Sequence, residues 1–84
     1  MSAPTAIRPA MMVRRRIATY FTGGANAVPT LITALANVHD LSVDIREGVR
    51  ESSLVCAVLL PNEEIEPLLD RLRALPAVVS AELA

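Results

Sequence analysis

The sequence is poor in the residues that stabilise a small chain through a disulfide or a metal. It has 84 residues, one cysteine and one histidine. A single cysteine cannot form a disulfide within the chain, which fits a reduced, cytoplasmic setting. Cys56 stands inside the apolar run 54–60, where we expect a small buried hydrophobic side chain rather than a nucleophile. Because cysteine and histidine do not cluster, the sequence predicts no metal site and no cofactor.

Aromatic side chains are also scarce, and the charges nearly balance. Tyr20 and Phe21 are the only aromatic residues, and the formal net charge is −1. Nucleic-acid binding needs a basic surface and aromatic stacking platforms, so we expect no nucleic-acid partner. The basic run Arg14–Arg16 is too short to change this expectation, and we interpret it as the solvated start of a strand.

Long apolar runs are absent as well. None reaches the ~18 residues expected of a membrane-spanning helix, so the sequence predicts no membrane association. Residues 1–12 are small, weakly polar and contain proline, without the apolar core of a signal peptide. We interpret them as a flexible tail that precedes a single domain over residues 13–84.

The same apolar spacing occurs twice in the chain. Apolar residues follow one another at offsets of 0, 3, 4, 7 and 10, which places them on one stripe of an α-helix. The two sets are Val28, Leu31, Ile32, Leu35, Val38 and Ile65, Leu68, Leu69, Leu72, Leu75. The spacing therefore predicts helices over 28–38 and 65–75.

Strand patterns flank both predicted helices, over residues 13–21, 41–46, 54–60 and 77–83. Right-handed crossovers then give an α+β, ferredoxin-like βαββαβ sandwich. Its four-stranded antiparallel sheet would have the order 4-1-3-2 and both helices on one face. The run 54–60 is apolar at every position, which predicts a central strand with helices on one face and a partner subunit on the other.

A glycine-containing loop, Thr22–Ala27, joins the first strand to the first helix. Gly23 and Gly24 permit backbone angles that other residues avoid, and the N–H groups at the start of a helix attract anions. Two interpretations stay open here: a flexible turn, or a backbone cradle for a small carboxylate. His39 follows the predicted helix, and we expect it to interact with the last helical carbonyl groups.

Several of these positions resemble the ACT regulatory domain. Phe21, a short polar loop and the spacing Val28-x-x-Leu31-Ile32-x-x-Leu35 look like the family's first strand and helix. Asp40-Leu41-Ser42-Val43 occupies the start of its second strand, and the apolar spacing from Leu68 to Ala81 is similar to its closing helix and strand. The resemblance covers residues 13–84 and is strongest to the short, single-domain regulatory subunits of acetolactate synthase.

This resemblance implies a non-catalytic regulatory domain in branched-chain amino-acid biosynthesis. It implies a homodimer, a larger catalytic subunit as a further partner, and a small amino acid as effector. The implied ligand-binding residues are Gly23, Gly24, Ala25, Asn26, Ala27 and Ser42. The family often has Asp-x-Pro-Gly in this loop and Asn at the position of Ser42. Because serine is shorter than asparagine, we expect weak effector binding.

Two other functions stay open from the residues themselves. The first is a dimerisation or adaptor module that binds no ligand. The second is a small dimeric enzyme of the ferredoxin-like class that uses His39 or Arg46. The enzyme hypothesis requires a second group that would orient His39 or take its proton, and the sequence indicates none.

Overall fold

Four strands and two helices make up the fold in the computed structural model, which describes residues 11–35, 37–46 and 51–84. The strands are β1 (Met12–Phe21), β2 (Val38–Asp44), β3 (Ser52–Pro61) and β4 (Val78–Leu83). The helices are α1 (Val28–Ala34) and α2 (Ile65–Arg73), and a 3₁₀ turn precedes each one, over Gly24–Ala27 and Asn62–Glu64. Within the described ranges, no helix has both the length and the apolar character needed to cross a membrane.

The strands form one antiparallel sheet in the order β2-β3-β1-β4. This confirms the predicted ferredoxin-like α+β class, and the strand order is the predicted 4-1-3-2 counted from the other edge. The central position of β3 is confirmed too. The first ten residues of the predicted tail lie outside the described residues, as do residues 47–50 between the second and third predicted strands, whereas Met12 already belongs to β1.

The core lies between the helices and one face of the sheet, which we call the core face. Strand alternation sends every second side chain of β1 and β3 to that face. The largest fully buried side chains are Phe21, Ile17, Leu31, Leu54, Leu68, Leu69, Leu72 and Val58. Cys56 is buried among them, as predicted, and this burial raises the pKa of its thiol, so the thiol stays protonated near neutral pH.

Asparagine is a preferred helix cap, and Asn62 precedes the second apolar stripe, but it does not cap α2. Among the described residues no side chain caps the helix, and the Asn62–Glu64 turn leads into it instead. The Asn62 side-chain oxygen accepts a hydrogen bond from Arg15, at 3.4 Å. Pro67 is the third residue of α2, within the first turn, where a missing N–H removes no helical hydrogen bond.

The first helix is shorter than the spacing predicts. It ends at Ala34, and the next residue, Leu35, is already extended, with ψ 149°. Asn37 then takes a left-handed conformation with φ 53°, which asparagine tolerates better than most residues, and its side-chain amide donates to the Leu59 carbonyl oxygen at 3.3 Å. Val38 and His39 therefore belong to β2. The expectation that His39 interacts with the last carbonyl groups of the helix is wrong.

A buried serine, Ser52, forms two hydrogen bonds between the two ends of the β2–β3 connection. The Ser52 hydroxyl accepts a hydrogen bond from the Arg46 N–H at 2.8 Å and donates one to the Arg46 carbonyl oxygen at 3.3 Å. Ser52 is fully buried, so these bonds satisfy a polar group that water does not reach. They also fix the end of β2 against the start of β3.

Thr19, unlike Ser52, is a buried polar residue without a hydrogen bond. Its side chain is fully buried on β1, and its hydroxyl oxygen has no hydrogen-bond partner among the described residues. An unsatisfied buried hydroxyl costs ~1–3 kcal/mol. We expect Thr19→Val, which keeps the shape and removes the hydroxyl, to raise the free energy of unfolding by ~1 kcal/mol in urea titrations. The control is Thr22→Val, because the exposed Thr22 hydroxyl donates to the Ala77 carbonyl oxygen. A loss of stability at position 19 would contradict the expectation.

Candidate functional site

The predicted ligand loop follows β1 and adopts the backbone that its glycines allow. Gly23 has φ 93° and Gly24 has φ 58°, both in the left-handed region. A Cβ atom added to Gly24 would lie 4.0 Å from the Cγ2 atom of Ile45, just beyond the end of β2. The loop therefore lies at the end of the sheet where β1 and β2 finish, and Gly23, Gly24, Ala25, Asn26 and Ala27 form one continuous segment.

The loop offers an anion fewer backbone donors than the sequence predicts. The Val28 N–H donates to the Ala25 carbonyl oxygen, and Pro29 has no N–H. The helix that follows has only seven residues, so the partial positive charge at its start is small. The remaining candidate donors come from the 3₁₀ turn itself.

Ser42, the sixth predicted ligand residue, lies apart from this loop within one chain. It is exposed on β2, opposite Val55 of β3, and its side chain points away from the core face. Ile45 is three positions after Ser42, a distance of ~10 Å along a strand. The structure thus brings five of the six predicted ligand residues together and leaves Ser42 on the other face of the sheet.

The edge strand β2 carries an apolar stripe that the helices do not cover. Leu41, Val43 and Ile45 point to the core-face side, yet they are 42%, 37% and 38% exposed. We call these three residues the β2 stripe. Because α1 ends at Ala34, the helical layer covers the centre of the sheet and stops short of this edge. The sequence did not reveal this exposure, since the alternation in residues 41–46 predicts a half-buried strand.

The face of the sheet away from the helices, which we call the open face, is mixed in character. Tyr20 and Leu59 are 37% and 38% exposed there. Arg14 forms an ion pair with Asp40 across the intervening strand β3. Asp40 reaches this pair from a left-handed backbone, φ 51°, at an irregularity in the pairing of β2 with β3. Ala57 is only 2% exposed although it belongs to this face.

His39 and Arg46, the residues of the enzyme hypothesis, stand seven positions apart along the chain, and the one cysteine lies on the other face of the sheet from His39. His39 pairs with Ala57 and points to the open face, whereas Cys56 is buried on the core face. The two side chains are therefore on opposite sides of the sheet. Arg46 forms an exposed ion pair with Asp44. Within the described ranges, no three histidine, cysteine or acidic side chains come together as a metal site.

A shallow depression between α1 and the chain after α2 is a second candidate binding place. It measures ~380 Å³ and is lined by Pro29, Thr30, Thr33, Ala34 and Leu75. The Thr33 hydroxyl already donates to the Pro29 carbonyl oxygen at 2.8 Å, and the lining includes no charged side chain. The depression is wide open to solvent and offers little that would orient a polar ligand.

The chain was compared with protein-family models, with curated proteins and with solved structures. None of the three comparisons finds a match.

Proposed function

We propose that this chain is a non-catalytic regulatory module of the ACT type that works as a homodimer, binds a small amino acid weakly and modulates a larger catalytic partner. The observation that carries the proposal is the β2 stripe on an unpaired sheet edge. An edge strand presents free N–H and C=O groups, and it pairs readily with another strand. Three apolar side chains beside such an edge favour a partner that buries both the backbone and the stripe.

Pairing of β2 with β2 of a second copy satisfies both requirements. The two strands run antiparallel around a two-fold axis and continue the sheet to eight strands. Side chains on the same face of paired strands become neighbours, so the two β2 stripes meet beneath the joined sheet. Such an isologous contact uses the same residues twice and closes the assembly at two chains.

The same pairing supports an effector site at the joint. With the axis at Val43, Ser42 of the second copy lies opposite Asp44 and one residue from Ile45, at the end of the sheet that carries the Gly24 loop; its side chain points to the open face, whereas Gly24 approaches Ile45 on the core-face side. A small amino acid would meet backbone N–H groups of one loop through its carboxylate. Its ammonium group would find acceptors in Ser42 of the second copy and in nearby carbonyl groups.

The dimer is tested by placing a charge in the β2 stripe. We expect Val43→Asp to turn the dimer into a monomer, or into smaller assemblies, because a buried unpaired carboxylate opposes association. Multi-angle light scattering from ~1 to 100 µM measures this, and circular dichroism verifies that the variant folds. Thr30→Asp, at an exposed position of α1, introduces the same charge away from the edge and leaves the size unchanged. A folded Val43→Asp variant of wild-type size would contradict the edge contact.

Effector binding is tested separately by amide NMR titration with valine, leucine and isoleucine. We expect saturating shifts in residues 22–28 and around Ser42 in β2, with a millimolar midpoint. Ser42→Asn lengthens the side chain and should bind at least a few-fold more tightly, whereas Ser42→Ala should bind more weakly. Saturating shifts elsewhere would exclude this site. If no amino acid causes shifts while the dimer persists, the chain is the ligand-free adaptor instead.

A further inference from the structure

One row of the open face has an alanine between two residues that can carry positive charge. Ala57 of β3 is directly opposite Arg16 of β1 on one side and directly opposite His39 of β2 on the other. Neighbouring strands lie ~4.8 Å apart, so Arg16 and His39 start ~10 Å from each other with only the Ala57 methyl group between them. Both residues are exposed. The sheet therefore holds two nitrogen-bearing side chains at a fixed separation on either side of a small residue.

Strand alternation divides the basic run Arg14–Arg16 between the two faces of the sheet. Arg14 and Arg16 lie on the open face, whereas Arg15 lies on the core-face side and donates to the Asn62 side-chain oxygen. The run by itself gave no reason to expect a binding site, because the group that joins Arg16 across the sheet is His39, which is far away in the chain.

Two carboxylates lie near this row, and they decide how much positive charge remains there. Asp40 forms an ion pair with Arg14 across β3. Glu82 of β4 is opposite Ala18, in the row next to that of Arg16. Among the described residues, neither Arg16 nor Glu82 forms an ion pair. The guanidinium group of Arg16 is thus available to a ligand, and a protonated imidazole on the other side of Ala57 adds a second positive charge.

We propose that Arg16 and His39 bind a phosphoryl group above Ala57, so that the open face carries a site for phosphate or for a small phosphate monoester. A phosphoryl group has three strong acceptor oxygens and nearly two negative charges. One oxygen accepts a hydrogen bond from the Arg16 guanidinium group while another accepts one from the His39 imidazole, each across ~2.9 Å. A carboxylate has its two oxygens in one plane, and a single guanidinium group satisfies both, so it is the poorer ligand for donors on two sides.

Apolar side chains on both sides of Ala57 favour a phosphate that carries a carbon group. Val55 and Leu59 stand two residues before and after Ala57 on the open face of β3, half-buried and 38% exposed, respectively. An aliphatic group attached to the phosphoryl oxygen would contact one of them. This site uses neither the β2 stripe nor the Gly24 loop, so it goes beyond the proposed function and does not depend on it.

NMR titration of the wild-type protein with sulfate, inorganic phosphate and glycerol phosphate tests the site. We expect saturating shifts at residues 16, 39 and 57 with a millimolar midpoint, and no saturating shift there with acetate at equal ionic strength. Sulfate keeps both its charges while an imidazole loses its proton, so sulfate should bind several-fold more weakly at about pH 8 than at about pH 5.5. Tighter binding of glycerol phosphate than of inorganic phosphate would assign the site to a phosphorylated small molecule, and equal binding would assign it to the free anion.

Substitutions in the row give effects of opposite sign. We expect Arg16→Gln and His39→Gln, each alone, to raise the sulfate midpoint roughly fivefold or more, because each removes a charged donor. Arg16→Lys keeps the charge and should raise it less. Glu82→Gln removes the opposing carboxylate and should lower the midpoint. Arg71→Gln, an equal charge change on the exposed side of α2, should leave it unchanged.

The gain expected from Glu82→Gln separates a binding site from a structural effect, since a variant that merely destabilises the sheet does not bind an anion more tightly. Circular dichroism verifies that each variant folds. Saturating shifts confined to other residues would overturn the proposal. Acetate that matches sulfate, or a midpoint that neither Arg16→Gln nor His39→Gln changes, would overturn it as well.

Discussion

Replacing Leu72 with alanine is expected to lower the free energy of unfolding by ~2–5 kcal/mol, because it opens a cavity under α2 that neighbouring side chains fill only partly. Leu72 is fully buried, and it packs in the core with Leu68 and Leu69 from the same helix. A domain of this size has little stability to spare, so a loss near the upper limit would leave much of the protein unfolded. Leu72→Met keeps most of the volume and should cost less than ~1.5 kcal/mol.

The matched control for Leu72→Ala is Arg71→Ala, one residue earlier on the exposed side of α2. We expect it to change the free energy of unfolding by less than ~0.5 kcal/mol. All variants should be unfolded in urea at one protein concentration, because assembly adds stability that depends on concentration. Equal losses for Leu72→Ala and Arg71→Ala would mean that the assigned buried face of α2 is wrong.

The sequence predicted the fold best where the burial of apolar side chains alone decides the local structure. The second apolar stripe predicts α2 because its side chains must face the core, and the buried positions Ile65, Leu68, Leu69 and Leu72 confirm it. The two-faced apolar run 54–60 predicts the central strand for a similar reason. The strand order then follows from the handedness of the two crossovers, which leaves few topologies for this order of elements.

The sequence predicted the end of α1 wrongly, because a local backbone turn ends the helix before its apolar stripe does. Residues 28–38 carry a complete helical stripe, yet α1 stops at Ala34. Asn37 takes a left-handed backbone and ends the helical segment. Val38 still packs against the core, but it does so from β2 rather than from a longer α1. The apolar spacing alone cannot distinguish a longer helix that contains Val38 from a shorter helix followed by a strand that contains it. An asparagine near the end of the stripe was the one signal that could have indicated the early turn.

Side-chain contacts between segments that are distant in the chain could not be predicted from the sequence either. Arg73 lies off the apolar stripe of α2, and its spacing predicts a negligible role. In the structure its Nε atom donates to the Ala81 carbonyl oxygen at 3.0 Å, which joins α2 to β4. The face of Ser42, by contrast, follows from the alternation of residues 41–46, which places Ser42 and Asp44 opposite Val43. What the alternation did not show is that this face is the one away from the Gly24 loop.

Replacing Phe21 with alanine should cost ~3–5 kcal/mol, the loss typical of truncating a large buried aromatic side chain. Phe21 ends β1, is fully buried and is opposite Ser52 and Val78 of the flanking strands. Its truncation opens a cavity at the end of β1, where the glycine-containing loop begins. We therefore expect loss of stability together with broadened amide signals from residues 22–27, which urea unfolding and NMR measure independently.

Tyr20→Ala is the matched control, because Tyr20 precedes Phe21 on the same strand and points to the open face, where it is 37% exposed. In dilute monomer its truncation should cost clearly less than that of Phe21, since more than a third of the Tyr20 side chain stays in contact with water whereas Phe21 is fully buried. Equal destabilisation by Tyr20→Ala and Phe21→Ala in the monomer would contradict the assignment of the two faces of β1.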